Sequence, residues 1–366
     1  MPLTLLSKGA SWIPMSWVRP LSGVSLVVPF YHVVGDHYLP HVSNLYRFRS
    51  VKEFRQDLEF FTRNFKPVSL SDIVDALDGR GTLPPSCFHL TFDDGFREAY
   101  DIIAPILRRA GIPATFFMPT SFLDNGGMPL HNELSLLLDR LESSNPPSRA
   151  ERARFESLLP PARRPFSSLR ERVLSIRYAQ RSVVAALAEV LDVDLRRYVL
   201  DYQPHLSSDE LADLLRQGFS VGSHSCDHPL YSDLPLDEQF AQTRISMELL
   251  ISRFGVSPKA FAFPFNDSGV RPELFSKFFA EPLLNVSFGT SGLIRHFNPR
   301  NIQRINMEKT PAPAEHIVAR QFARATFFRV RSGSARQRSG GEPAAAVLHS
   351  GAQRNNAALL RNGDTA

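Results

Sequence analysis

The chain has 366 residues, of which 43% are hydrophobic and 10% aromatic, so it can bury the core of one large α/β domain with insertions. Its formal net charge is +5, but the positive excess is concentrated after residue 330, and no RNA- or DNA-binding motif accompanies it. We therefore expect no nucleic-acid partner. Only two cysteines are present, which argues against a disulfide-stapled secreted fold.

The amino-terminal residues contain no convincing targeting segment, because Pro14 and Pro20 interrupt any long apolar stretch. The apolar run over residues 24–30 is too short to span a bilayer and is predicted to be the first strand. These features predict a lead-in over residues 1–20 and a cytoplasmic protein without stable membrane insertion.

Seven strand-like runs follow one another along the chain, and helical patterns separate most of them, which predicts a parallel sheet. The runs cover residues 24–30, 88–92, 114–118, 219–222, 259–263, 283–288 and 302–307. Two helical patterns have apolar faces, made by Phe54, Leu58, Phe61 and Phe65 and by Ile245, Leu249, Leu250 and Phe254.

The most informative stretch follows the second run, where an apolar strand leads directly into Asp93, Asp94 and Gly95. Asp-Gly is also a favoured hairpin turn, but a hairpin would require a second alternating strand. The residues that follow have apolar side chains three and four apart up to Gly111, which is typical of an amphipathic helix with a glycine stop. Two carboxylates are therefore predicted at the carboxyl end of a strand, a common active-site position in α/β folds.

About a hundred residues separate the third and fourth runs, far more than an ordinary crossover requires. We expect a helical insertion over about residues 122–205, interrupted at 143–147 and at Pro160-Pro161. Its arginines make it basic: Arg149, Arg152, Arg154, Arg163, Arg164, Arg170, Arg172 and Arg177. The pattern is compatible with a solvated helical face, or with a cap beside the catalytic face that attracts an anionic substrate.

The fourth run leads into a His-x-x-x-His pair, His224 and His228. By itself this spacing is a weak signal, because one packed and one solvated histidine would give the same pattern. Combined with a carboxylate from the first motif, two imidazoles make a facial metal triad with open coordination positions. The remaining acid would then be the base that a hydrolase needs beside a metal-bound water. Cys226, between the histidines, is interpreted as a bystander.

Residues 91–95 and 224–228 resemble the first two motifs of the polysaccharide deacetylases of carbohydrate esterase family 4, and the resemblance extends over roughly residues 20–310. Residues 261–265, Phe-Ala-Phe-Pro-Phe, approximate a third motif, which usually ends in Pro-Tyr. The resemblance implies an incomplete, distorted (β/α)7 barrel with its chemical motifs at the carboxyl ends of strands. It also implies removal of N-acetyl groups from a sugar or glycan.

The resemblance assigns roles to individual residues. Asp93 would be the general base. Pro264 and Phe265 would lie at the substrate, where the backbone N–H of Phe265 would help to bind the oxyanion. One divalent metal ion, usually zinc, would be held by Asp94, His224 and His228.

The chain departs from the family pattern at two places. Ala262 occupies the position of an arginine that contacts the base, and Arg304 in the last run is the first candidate to replace it. Residues 303–307 lack the histidine that protonates the leaving amine. His32, at the end of the first strand, is a candidate to supply that acid or to orient substrate, although a strand-end histidine is also often a packing residue. The leaving-group acid is therefore left open.

The expected organisation is a lead-in over residues 1–20, a catalytic domain over 21–330 and a disordered tail over 331–366 that is rich in Gly, Ala, Ser and Arg. Two other functions remain open. One is a catalytically impaired, glycan-binding member of the family, and the other is a related hydrolase of a non-sugar, cyclic amide. An aspartyl-phosphate phosphatase is disfavoured, because its acids would stand two apart rather than adjacent.

Overall fold

The computed structural model describes residues 15–161, 168–280 and 283–339, and its centre is a ring of seven parallel strands. The strands are β1 (Leu26–Val27 and Pro29–Tyr31), β2 (Cys87–Phe88 and Leu90–Phe92), β3 (Ala114–Met118), β4 (Ser220–Ser223), β5 (Ala260–Ala262), β6 (Val286–Gly289) and β7 (Asn301–Gln303 and Ile305–Asn306). The short strand Lys66–Pro67 pairs with the start of β2 outside the ring.

Strand pairing follows chain order from β1 to β7, and β7 then closes the ring on β1. The first half of β7 pairs with β6, and its second half, Ile305–Asn306, pairs with Pro29 and Phe30 of β1. Arg304 stands at the point where β7 changes partner. The predicted parallel (β/α)7 barrel is therefore confirmed.

Helices surround the barrel and build the long insertion. They are α1 (Met15–Ser22), α2 (Val51–Asn64), α3 (Leu70–Leu77), α4 (Ala104–Ala110, preceded by the π-helical turn Ala99–Ile103), α5 (Leu130–Leu141), α6 (Arg149–Leu158), α7 (Leu169–Leu174), α8 (Val183–Val190), α9 (Leu195–Tyr202), α10 (Ser208–Arg216), α11 (Leu236–Phe254), α12 (Pro272–Ala280) and α13 (Ala314–Ser339). Short 3-10 turns occur at Thr120–Asn125, Tyr178–Gln180 and Tyr231–Asp233.

The predicted apolar face of α2 is buried, with Phe54 and Phe61 fully enclosed. Its start is fixed by a capping box, in which Ser50 accepts a hydrogen bond from the Glu53 N–H and the Glu53 carboxylate accepts one from the Ser50 N–H.

The predicted apolar face of α11 is wrong at Ile245, whose side chain is 50% exposed. The helix instead buries a largely polar face that includes Gln242, Thr243 and Ser246. This polar face packs against the loop after β4. The backbone N–H groups of that loop are buried and need hydrogen-bond acceptors, which the polar side chains supply. Gly255 ends the helix in a left-handed conformation, as predicted.

Helices α5 to α9 of the insertion have a hydrophobic core of their own, which includes Leu137, Phe155 and Leu187. The insertion returns to the barrel beside the first motif, where the Leu206 N–H donates to the Gly95 carbonyl at 3.0 Å. Its end is therefore attached directly to the loop that carries Asp93 and Asp94.

The two ends of the described chain lie together, because α1 packs against α13. Helix α13 continues to Ser339, so the first residues of the predicted tail are helical, while residues 1–14 and 340–366 lie outside the described residues.

None of the helices in the described ranges combines the length and the apolar character needed to cross a membrane. Cys87 and Cys226 are both free thiols.

Candidate metal centre and active site

The loop after β2 presents both carboxylates of the first motif. The Asp93 N–H donates to the Tyr31 carbonyl at 2.9 Å, which continues the strand pairing to the barrel edge. Asp94 and Gly95 then take left-handed conformations, with φ of 71° and 61°. A Cβ atom at Gly95 would lie 2.0 Å from the Met118 Sδ, so the turn requires glycine at this position.

The structure brings together the three residues predicted to bind a metal. The Asp94 Oδ1 lies 3.4 Å from the His224 Nε2 and 3.1 Å from the His228 Nε2. One ligand atom from each residue falls within 4.8 Å of the others. Ligands that stand about 2 Å from a common ion have mutual separations of this order, so the spacing suits a small divalent cation.

Hydrogen bonds hold the histidine loop in place. The His224 Nδ1 lies 2.8 Å from the Ala262 carbonyl, which can only accept, so Nδ1 carries the proton and Nε2 keeps a lone pair for a metal. The Gln242 Oε1 accepts from the N–H groups of Cys226 at 2.9 Å and of Asp227 at 3.1 Å. The polar face of α11 therefore supports the loop that carries both histidines.

The electrostatics of the triad also fit a cation. The Asp94 Oδ1 is buried and accepts no hydrogen bond from the described residues, so it keeps an unsatisfied acceptor that a metal would occupy. Burial alone would raise the pKa of the Asp94 carboxyl, but His228 and His224 beside it hold that pKa well below its usual value. The donor set of one carboxylate and two imidazoles is one that zinc and related ions accept.

Arg304 contacts Asp93 through both ends of its guanidinium, with Nη1 to Oδ1 and Nη2 to Oδ2 at 2.7 Å each. The arginine is fully buried, stacks over the Phe30 ring at 4.5 Å and also donates to the Thr91 hydroxyl at 3.1 Å. Burial would raise the pKa of Asp93, but the charge and hydrogen bonds of Arg304, together with the charges of His224 and His32, lower that pKa. Asp93 is therefore held as a carboxylate, with its Oδ2 at 3.9 Å from the His224 Nε2.

His32 lies at the same edge of the barrel and forms a pair that the sequence analysis missed. Its Nδ1 lies 2.5 Å from the buried Glu308 carboxylate, which also accepts the backbone N–H groups of His32 and Val33. Burial would lower the pKa of His32, but Glu308, with smaller contributions from Asp94 and Asp93, raises it to about 9. His32 is therefore a cation at neutral pH beside the two carboxylates.

Pro264 and Phe265 form a tight turn after β5, in which the Asn266 N–H donates to the Pro264 carbonyl at 2.7 Å and Phe265 has a φ of 59°. The Phe265 ring is 39% exposed and lies between two imidazoles, with ring centroids 4.7 Å from His228 and 4.8 Å from His131. The turn therefore places the candidate oxyanion donor next to a predicted metal ligand.

A cavity of about 540 Å³ opens beside the triad. One side consists of barrel loops that include His228, Leu230 and Phe265, and the other consists of insertion residues such as His131 and Arg172. Burial lowers the pKa of His131 to about 4, so this imidazole is neutral at physiological pH.

Three residues near the site, Glu308, Gln242 and His131, were not singled out from the sequence. Glu308 follows β7 and contacts a residue from β1, Gln242 lies within a helix, and His131 belongs to the insertion. Polar residues that follow a barrel strand are candidate site residues, and of these three only Glu308 follows a strand closely.

The family model described as "Polysaccharide deacetylase" matches residues 80–156, which include the first motif, and confirms the family resemblance there. No curated protein sequence matches the chain.

Two solved structures share the architecture. The Streptococcus pyogenes deacetylase PplD, in complex with acetate, is 15% identical with a TM-score of 0.51, and the match covers 80% of this chain and 96% of that one. IcaB from Ammonifex degensii is 18% identical with a TM-score of 0.50, and the match covers 81% and 97%. At these identities the likeness shows the barrel fold alone.

Proposed function

From its resemblance to the polysaccharide deacetylases, we propose that this chain is a metal-dependent hydrolase that removes N-acetyl groups from a carbohydrate. One arrangement carries the proposal. A buried carboxylate oxygen without a hydrogen-bond donor and two imidazole nitrogens converge beside a second carboxylate, which an arginine holds ionised. This is the set of groups that metal-assisted amide hydrolysis requires.

The metal ligands in this proposal are Asp94, His224 and His228, with zinc as the proposed ion. A divalent cation bound there would polarise the amide carbonyl and lower the pKa of a water molecule.

Asp93 is the proposed general base, which takes the proton of the attacking water. The bidentate contact with Arg304 fixes the orientation of the carboxylate and keeps it deprotonated at neutral pH. Arg304 thereby takes the part of the family arginine that Ala262 replaces. Because it touches Asp93 rather than substrate, Arg304 acts as a positioning residue.

The backbone N–H of Phe265 is the proposed donor to the oxyanion, because it makes no hydrogen bond to the residues that the structure describes. Pro264 before it fixes the backbone of the turn.

His32 is the proposed leaving-group acid. Its partner Glu308 keeps it protonated at neutral pH, and its Nδ1 is used in that contact. The Nε2–H therefore remains to protonate the departing amine. In this proposal a histidine from β1 replaces the one that the family carries on its last strand.

The catalytically impaired alternative was suggested by the arginine and the histidine that are missing from the family motifs. It is less well supported, because Arg304 and His32 offer replacements for these two groups. The alternative of a cyclic-amide substrate has no specific observation in its favour.

The test measures metal content and acetate release together on the purified full-length protein, with a panel of N-acetylated sugars. We expect about one zinc per chain and metal-dependent acetate release, and we expect both to be lost in a His224→Ala/His228→Ala double variant. Metal content that is unchanged in the double variant would refute the ligand assignment. Bound metal without acetate from any sugar, but with turnover of ureides or imides, would favour the cyclic-amide alternative.

A further inference from the structure

The cavity beside the metal triad has one wall that comes from the insertion, and this wall is fixed relative to the metal ligands. The Tyr178 hydroxyl donates to Asp227 at 2.8 Å, and the Arg177 Nη1 lies 3.2 Å from Asp233. Asp227 stands between the two histidine ligands, and Asp233 follows them closely in the chain. Substrate bound at the metal would therefore contact both the barrel and the insertion.

Most of the lining is uncharged. The apolar residues that line the cavity include Leu130, Pro161, Ile176 and Leu230. Arg177 and Asp233 pair with each other, so together they contribute no net charge. His131 is neutral at physiological pH, because burial lowers its pKa.

Arg172 on α7 is the exception. Among the described residues, the only hydrogen bond of its guanidinium runs from Nη2 to the Leu159 carbonyl at 3.2 Å. Its Nε is buried and has no hydrogen-bond partner there, and no carboxylate of the described residues lies within ion-pair distance. A half-buried guanidinium that lines a cavity beside the proposed catalytic groups, and that forms no ion pair with the described residues, is a binding group for an anion.

We propose that the insertion recognises a negatively charged substituent on the N-acetylated sugar and that Arg172 is the residue that binds it. The proposal rests on the proposed function for the position of the acetamido group at the metal. The substituent is a carboxylate or a phosphate. Both groups present two anionic oxygens that can accept the two parallel N–H groups of a guanidinium. The neighbouring apolar residues lower the local polarity and strengthen this contact.

The experiment measures equilibrium binding by titration calorimetry on the full chain. It compares N-acetylglucosamine with its 6-phosphate and with N-acetylmuramic acid, which carries a carboxylate. We expect the wild type to bind at least one of the anionic sugars roughly tenfold more tightly than the neutral sugar, a preference that weakens at high salt. The two anionic sugars show whether phosphate or carboxylate is the preferred group.

Variants then test the assigned residue. Arg172→Gln should abolish the preference and leave binding of the neutral sugar unchanged, whereas Arg172→Lys should retain part of it. Arg152→Gln is the matched control, because Arg152 is exposed on the same insertion, pairs with Glu156 at 3.3 Å and does not line the cavity. Melting temperatures check that the Leu159 contact is not essential for folding, and Arg172→Lys serves as the test if Arg172→Gln is unstable.

Equal affinity of the wild type for neutral and anionic sugars would overturn the proposal, as would a full preference in Arg172→Gln. Acetate release, measured on the same three sugars, reports on the proposed function separately. A preference that depends on Arg172 without any acetate release would contradict the deacetylase function but leave the anion site standing.

Discussion

The two walls of the cavity are built in different ways. On the barrel side, His228 and Phe265 line the cavity. Behind them Asp94 and His224 are buried, and hydrogen bonds from the end of β5 and from α11 hold the histidine loop. On the insertion side, Leu130, Arg172 and Tyr178 are half-exposed. Under the proposed function, the barrel wall would fix the reacting groups, while the insertion wall would select what is brought to them.

Strained backbone conformations occur in the barrel loops of the candidate site. Asp94, Ser225, His228 and Phe265 all have positive φ there. Such conformations cost about 1–3 kcal/mol each and persist only where the surroundings impose them. The barrel supplies those surroundings through pairing that continues to the ends of its strands, so its side chains have little freedom to move.

The largest effect should come from the barrel wall. Replacing Asp93 with Asn removes the proposed base but keeps the shape of the side chain. We expect turnover to fall at least about 10³-fold while metal content stays at the wild-type level. Steady-state kinetics and metal analysis on the same sample measure both quantities, and wild-type turnover in the variant would show that Asp93 is not the base.

The His32–Glu308 pair should give a smaller effect that depends on pH. His32 must be protonated to act as an acid, so activity should fall as the pH rises through its pKa of about 9. Glu308→Gln removes the main cause of the raised pKa, so the alkaline limb of the rate profile should move to lower pH. The exposed His37, replaced by Asn, is the control and should leave the profile in place.

Stability offers a second readout for this pair. Because the folded-state pKa is raised above the ordinary 6.5, the contact stabilises the fold fully below that value, and the contribution is lost as the pH rises through about 9. Melting temperatures of wild type and Glu308→Gln should therefore differ most at neutral and mildly acidic pH, and the difference should narrow above pH 9. A constant difference across this range would exclude the linkage.

The smallest effect should come from the insertion wall. Tyr178→Phe removes the hydroxyl that donates to Asp227 and loosens the wall without touching a proposed reacting group. We expect KM to rise about threefold, with kcat and metal content nearly unchanged. Tyr202→Phe, also on the insertion but outside this cavity, is the control. A fall in kcat or in metal content would mean that the two walls are not separate in function.

Much of the barrel could be predicted from the sequence, because each strand is a local apolar run and each chemical motif follows one directly. The predicted face of α11 failed at Ile245, since the sequence does not reveal that this helix packs against a loop with polar requirements. The sequence predicts a helical and basic insertion, but it does not show which of the arginines form ion pairs. Arg177 is neutralised by Asp233, whereas Arg172 has no such partner among the described residues.

The sequence by itself determined the candidate ligand set and the family resemblance, because a carboxylate pair and a His-x-x-x-His pair at strand ends carry their chemistry in a few adjacent residues. Only the tertiary structure decided which distant groups complete them. Arg304 reaches Asp93 across 211 positions of sequence, and Glu308 reaches His32 across 276. Both contacts exist because β7 closes the barrel against β1, and this closure depends on the packing of the whole ring rather than on any local pattern.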